Sequence, residues 1–226
     1  MTRVVHWEFG QRSLFGIWIL DFIKMDIILS KGRVDVQDCD VLVAGFFRDE
    51  RPLKGSSGWI DWRFNGMLSQ LLIENKLTGD WKETTLIPSQ ERILPRMILL
   101  LGLGEVKKYS SLRLRELSPY LLETLRKLGW RNVCLSLPYG DSYHVECRKI
   151  VESVIEAIAD DLGHYETALE EGWTRRLRLF FAEGEEVFPE ILSGVQTAKS
   201  MVGGRMQIEI SIPSESSYSQ NTRMNT

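Results

Sequence analysis

Two glycine-containing loops are the segments of this sequence whose residue types and spacing suit the binding of an anion. Lys54-Gly55-Ser56-Ser57-Gly58 precedes a predicted helix, and Gly102-Leu103-Gly104 follows the most apolar predicted strand. The first N–H groups of a helix lack intrahelical partners and favour negative charge. In α/β sheets, ligands collect beyond the carboxyl ends of the strands. The candidate ligand-binding residues are therefore Lys54, Gly55, Ser56, Ser57, Gly58, Gly102 and Gly104.

Neither loop contains a complete phosphate-binding motif. The pattern GxxxxGK[ST] is absent, and Gly-x-Gly alone is a weak signal. The simpler explanation for these glycines is that they allow tight turns and close packing of a helix. Both interpretations remain open from the sequence.

Two tryptophans and an arginine form a second candidate site. Trp59 and Trp62 are three residues apart and are therefore neighbours on a helix. They could line the mouth of a pocket, pack in the core, or anchor a protein partner, because tryptophan and arginine are frequent anchors in interfaces. Trp59, Trp62 and Arg63 are the candidate partner-binding residues, and core packing of at least one tryptophan is the default.

The residues that usually carry catalysis show no recognisable arrangement. Paired acids at 160–161, 170–171 and 183–186 fall at helix ends or in loops, so we interpret them as solvated charge. His6, His144 and His164 lack the spacing of metal ligands, and no GxSxG elbow occurs. The sequence leaves open a catalytic Ser-His-Asp triad, because the members of such a triad can be distant in sequence. We predict no catalytic residue, no metal site and no cofactor.

Composition places the chain among ordinary globular proteins. A net charge of −3 over 226 residues gives no general attraction to nucleic acid or to an acidic membrane. The apolar stretch from Leu14 to Ile23 is too short to span a bilayer. The odd count of three cysteines without CxxC spacing predicts buried free thiols rather than disulfides or zinc ligands, which fits a cytoplasmic location.

Strands and helices alternate along most of the chain. Periodicity predicts one α/β domain, a three-layer α/β/α sandwich, over residues 25–212. Residues 1–24 are expected to be an extension outside the fold, with an added helix as the alternative, and 213–226 a disordered tail. The predicted strands span 25–29, 41–47, 84–88, 97–103, 133–138, 176–181 (exposed) and 206–212 (at an edge). The predicted helices span 60–72 (capped by Ser56 or Ser57), 111–128, 143–162 and 185–202.

Several stretches in a fixed order resemble the N-terminal domain of leucyl aminopeptidases. They are Asp40-Val41-Leu42-Val43-Ala44-Gly45-Phe46, the Leu53–Gly58 loop with its helix, Thr84-Thr85-Leu86-Ile87-Pro88, Met97–Gly104 and the leucine-rich helix beginning near Ser110. The resemblance covers roughly residues 25–205. It implies a macro-like fold with a mixed, mostly parallel sheet between helices.

The resemblance also shapes the expected function. The family's peptidase chemistry belongs to a second domain that binds two metal ions and carries an Asn-Thr-Asp-Ala-Glu-Gly-Arg stretch, which this sequence lacks. We therefore expect a non-catalytic binding or assembly module with a protein partner or self-association. Because some macro domains bind ADP-ribose, the main alternative is a binder of ADP-ribose or another phosphorylated nucleotide. A hydrolase of another type is the third.

Overall fold

The computed structural model describes residues 23–164, 177–203 and 206–213, which contain seven strands and five α-helices. The strands are β1 (Ile23–Lys31), β2 (Val41–Phe46), β3 (Thr84–Pro88), β4 (Met97–Gly102), β5 (Asn132–Ser136), β6 (Arg178–Glu183) and β7 (Met206–Ser211). The helices are α1 (Gly55–Arg63), α2 (Met67–Ile73), α3 (Ser111–Leu128), α4 (Cys147–His164) and α5 (Phe188–Val202). Short 3-10 helices follow β1, β4 and β5 at Val34–Val36, Val106–Lys108 and Asp141–Tyr143.

The strands form one mixed sheet in the order β3-β4-β2-β5-β6-β1-β7. All neighbouring pairs are parallel except β3 and β4, which are antiparallel. The carboxyl ends of β2, β5, β6 and β1 therefore stand side by side at one edge of the sheet, where α/β proteins commonly place their ligands.

Helices cover both faces of the sheet because the strand side chains alternate between them. On one face, Val43 and Leu135 pack with buried residues of α3, α4 and α5. On the other face, Leu42 and Cys134 pack with α1 and α2. The predicted α/β/α sandwich with a mixed, mostly parallel sheet is confirmed.

The leucine-rich helix α3 has the bounds that the sequence predicts. The hydroxyl of Ser110 accepts a hydrogen bond from the backbone N–H of Arg113, which caps the first turn. Gly129 ends the helix with φ +73°, a conformation that glycine adopts without steric cost. Leu114, Leu121 and Leu125 are buried against the sheet.

The single helix predicted over 60–72 is wrong, because two short helices occupy this segment. Asn65 and Gly66 adopt left-handed conformations, with φ +56° and +79°, and break the helical path. Asp61 joins the two helices by accepting hydrogen bonds from the backbone N–H and the hydroxyl of Ser69. The first helix begins at Gly55 after an extended Lys54, so Ser56 and Ser57 lie in its first turn rather than at its cap.

The prediction of an exposed strand at 176–181 is also wrong. β6 lies between β5 and β1, and its residues 179–182 are buried. The polar and apolar alternation that suggested exposure ends at Arg178, the first residue of the strand. The apolar run that follows is typical of a strand covered on both faces.

Other boundaries differ by a few residues. The helix predicted from residue 143 begins at Cys147, because a 3-10 turn and His144, with φ +54°, precede it. β1 begins at Ile23, opposite Met206 of β7, so the predicted boundary at residue 25 falls inside this strand. The predictions for residues 1–22, the acids at 170–171 and residues 214–226 lie outside the described residues.

Two further sequence predictions concern cysteines and membranes. Cys39, Cys134 and Cys147 are free and buried, as predicted. Burial raises the pKa of the Cys147 thiol to about 12, which suppresses the reactive thiolate. In the part of the chain that the structure describes, no helix is both long enough and apolar enough to cross a bilayer.

Candidate functional site

A cavity of about 490 Å³ lies at the carboxyl ends of the four adjacent parallel strands. We call it the crevice. β1, β2, β5 and β6 contribute their last residues or the residues that follow, and α1 contributes its first turns. The crevice is lined by Gly32, Arg33, Val34, Gly45, Gly55, Ser56, Trp59, Ser136, Leu137, Pro138, Tyr139, Tyr143, Ala182, Glu183 and Gly184.

The loop before α1 contributes Gly55 and Ser56 to the crevice. The Ser56 hydroxyl is hydrogen-bonded to that of Ser136 at the end of β5. The Ser57 hydroxyl instead donates to the Lys54 carbonyl. A Cβ on Gly58 would lie 2.5 Å from the Leu53 carbonyl oxygen, so this glycine allows close backbone packing. Of the five candidate residues in this loop, the structure brings two to the crevice.

Gly102 and Gly104 do not line the crevice. A Cβ on Gly102 would lie 2.1 Å from the carbonyl oxygen of Asp80. The N–H of Gly104 donates to the carbonyl of Gly79, and its φ is +74°. Both glycines therefore serve the close packing of β4 and its following turn against residues 79–83, and the two candidate loops do not share one cleft.

Arg33, Trp59 and Trp62 form a stack at the mouth of the crevice. The two indole rings lie 4.8 Å apart between centroids at an interplanar angle of 28°. The Arg33 guanidinium carbon lies 4.0 Å from the centroid of Trp59. Trp59 is half-buried and lines the crevice, whereas Trp62 is 65% exposed. The neighbouring positions predicted for the two tryptophans are confirmed.

A buried carboxylate, Asp35, holds this stack in place. Its side chain has no exposed surface, and Arg33 binds both of its oxygens through Nε and Nη2, at 2.9 and 2.5 Å. Arg63 approaches the same carboxylate to 3.6 Å. Burial alone would raise the pKa of Asp35, but the hydrogen bonds and charges of the arginines outweigh it and lower the pKa. Arg33 is thereby fixed in orientation at the wall of the crevice.

Glu183 is the last residue of β6 and also lines the crevice. Tyr139 donates a hydrogen bond from its hydroxyl to Glu183 Oε2 at 2.8 Å. Burial raises the pKa of Glu183, and the Tyr139 hydrogen bond opposes this effect without cancelling it. The interpretation of this carboxyl as part of a solvated acidic cluster is therefore wrong. Its neighbour Glu185 is 77% exposed and does fit that interpretation.

The residues that sequence reasoning missed are Gly32, Arg33, Ser136, Tyr139 and Glu183. Four of them follow the carboxyl end of a predicted strand within four residues, which was the available signal, whereas Ser136 lies inside the strand predicted over 133–138 and ends the observed β5. Together with Gly55 and Ser56 they give the crevice both hydrogen-bond donors and an acceptor. Within residues 23–164, 177–203 and 206–213, no group of three or more His, Cys, Asp or Glu residues is placed to hold a metal ion.

A family model matches the sequence of this chain. The model for the N-terminal domain of the cytosol aminopeptidase family matches residues 43–166, more than half of the chain. The chain belongs to this family. The resemblance drawn from the sequence is confirmed.

A cytosol aminopeptidase relative shows how much of a family protein the chain represents. The probable cytosol aminopeptidase of Alkaliphilus metalliredigens is 22% identical over 172 residues, which cover 74% of this chain and 34% of that protein. The chain thus spans about a third of the length of this curated relative.

Solved structures of two kinds share the fold. A mutant of tomato leucine aminopeptidase aligns with a TM-score of 0.53 and 19% identity, over 80% of this chain and 38% of its own. The macrodomain of Trypanosoma brucei in complex with ADP-ribose aligns with a TM-score of 0.57 and 18% identity, over 75% of this chain and 68% of its own. The cytosol aminopeptidase N-terminal domain described here therefore has a macrodomain-like fold.

Proposed function

We propose that the chain is a binding module whose crevice holds a phosphorylated nucleotide such as ADP-ribose, and that it has no peptidase site of its own. The observation that carries this proposal is the crevice at the carboxyl ends of four parallel strands, with Gly55 and Ser56 at the start of α1 on its wall. Its volume of about 490 Å³ lies in the range of small-molecule sites, roughly 300–1,000 Å³.

The wall beside α1 suits the phosphates. The N–H groups of the first helical turn carry partial positive charge, and two serine hydroxyls, of Ser56 and Ser136, lie beside them. Arg33 adds a guanidinium whose orientation Asp35 fixes, so little side-chain entropy is lost when an anion binds. ADP-ribose is chosen as the probe because a macrodomain of the same fold has been crystallised with it.

Titration calorimetry tests this function. ADP-ribose should give a saturable binding heat with one site per chain, and adenosine, which lacks phosphate, should bind at least about tenfold more weakly because it forms none of the charge-assisted hydrogen bonds. A saturable heat with adenosine equal to that with ADP-ribose would contradict the placement of phosphate at α1. An absence of heat with ADP-ribose would contradict the proposed ligand.

Assembly with a protein partner or a second copy is the other candidate function, supported by the exposed Trp62. Its ring stacks on Trp59. The next residue, Arg63, reaches Asp35, whose carbonyl binds the N–H of Leu94, and Val36 and Leu94 are each 45% exposed. An exposed group of tryptophan, arginine and aliphatic residues is typical of a contact surface. A cytoplasmic location, supported by the name of the family, suits either function.

Replacing Trp62 by alanine should weaken self-association by about 2 kcal/mol or more if this surface mediates assembly, since anchor tryptophans contribute energies of that size. Sedimentation over a range of concentrations measures the effect, starting from a mass above the 26.1 kDa of one chain. Leu112→Ala is the matched control, because Leu112 is 66% exposed on α3 at the other face. A chain that stays monomeric and retains no partner on purification would contradict this candidate.

A further inference from the structure

Glu183 is a carboxyl that has no ion-pair partner among the described residues. It is the last residue of β6, it lines the crevice, and Tyr139 supplies a hydrogen bond to one of its two oxygens. A carboxylate has about four acceptor positions. Among the described residues, no lysine or arginine lies within ion-pair distance of it.

The described groups around Glu183 supply no compensating charge. Lys31 is its register partner on β1, but the ammonium group lies 3.7 Å from Glu185 and over the ring of Phe188. From α4, the Cys147 thiol faces Glu183, and from α5 the carboxylate of Glu190 adds like charge to the same region. A half-buried carboxylate in such surroundings is costly unless further donors reach it.

We propose that Glu183 is a specificity-determining residue of the crevice, whose carboxylate accepts hydrogen bonds from N–H or O–H groups on the base or ribose of the bound nucleotide. This inference rests on the proposed function. The crevice then offers anion-binding donors at α1 and Arg33 together with a hydrogen-bond acceptor at Glu183. It selects ligands that carry both phosphate and hydrogen-bond donors.

If Glu183 contacts the ligand, binding should release a proton from its carboxyl. A Glu183 that only stabilises the fold would release none. In the free protein, burial raises the pKa of Glu183, so this carboxyl keeps its proton to higher pH than an exposed glutamate does. Donors from the ligand favour the ionised carboxylate and lower its pKa. Binding therefore releases a proton, and affinity falls as the pH drops below the pKa of Glu183 in the free protein.

Calorimetry of the full chain with ADP-ribose, in two buffers of different ionisation enthalpy at about pH 5, measures the proton released per ligand bound. We expect a measurable release from the unaltered chain. Glu183→Gln should release none and should bind ADP-ribose about tenfold more weakly at neutral pH. Glu186→Gln, an equal loss of charge at an exposed position three residues away, should match the unaltered chain in both respects.

One further variant and two ligand analogues complete the test of Glu183. Tyr139→Phe removes the donor that lowers the pKa of Glu183, so proton release should move to higher pH even if Glu183→Gln fails to fold. Inosine diphosphate-ribose, which lacks the base amine, and an analogue without the ribose 2′-hydroxyl identify the donor. The analogue that loses affinity for the unaltered chain, but not for Glu183→Gln, carries the group that Glu183 binds.

Failure of the inference is distinguishable from failure of the proposed function. If the unaltered chain binds ADP-ribose without proton release, and Glu183→Gln binds it equally well, the role of Glu183 is contradicted. ADP-ribose then remains the proposed ligand. If the unaltered chain binds no ADP-ribose, the proposed function is overturned and this role falls with it.

Discussion

Replacing Gly184 by tryptophan should lower the affinity of the crevice for ADP-ribose by about 100-fold, or about 2.7 kcal/mol. Gly184 lines the crevice, its φ is not in the left-handed region, and a Cβ at this position meets no atom within 4 Å. A large side chain can therefore enter open space and occupy the volume that the nucleotide requires, without disturbing the core. Calorimetry measures the affinity, and thermal melting should show little change in stability.

Gly184→Ala is the matched control for this substitution. It adds the same Cβ without filling the crevice, and it should bind ADP-ribose with nearly the affinity of the unaltered chain. If Gly184→Trp binds as tightly as Gly184→Ala and both remain folded, then ADP-ribose does not occupy the crevice.

Replacing Gly102 by valine should lower the free energy of unfolding by about 3 kcal/mol. A Cβ here would lie 2.1 Å from the Asp80 carbonyl oxygen and 3.0 Å from the Glu83 Cβ, and the first of these is a backbone atom that cannot rotate away. The end of β4 and the turn at residues 79–83 must shift to accommodate it. Denaturant unfolding measures the loss.

Gly102→Val also tests whether this loop contacts the ligand, because the sequence predicts Gly102 as a candidate ligand-binding residue. Chains of Gly102→Val that remain folded should bind ADP-ribose with unchanged affinity, because Gly102 does not line the crevice. Gly184→Ala again serves as the control, since it adds a side chain to a glycine with open space around it. A folded Gly102→Val chain that no longer binds ADP-ribose would show that this loop belongs to the ligand site.

The fold was largely predictable from the sequence because its strongest patterns are local. Leu114, Leu121 and Leu125 recur at helical spacing, and α3 has the predicted bounds. The errors arose where a short segment overrides the pattern around it. Asn65 and Gly66 break a helix whose apolar spacing continues beyond them, and Arg178 gives an exposed beginning to a strand that is otherwise buried.

The candidate site was predictable only in part because it is assembled by topology. Gly55 and Ser56 were found through their place before a helix. Arg33, Ser136 and Glu183 follow three different strands, and only the strand order brings those strand ends together. The burial of Glu183 likewise depends on Tyr139 and the packing of α4 and α5, which no local pattern contains.

The most direct test of the central claim is to map where ADP-ribose binds by nuclear magnetic resonance on the isotopically labelled chain. The amide signals of Gly55, Ser56 and Gly184 should shift progressively with added ADP-ribose, because these residues line the crevice. Those of Gly102 and Gly104 should stay in place. An absence of shifts, or shifts confined to Gly102 and Gly104, would contradict a nucleotide site in the crevice.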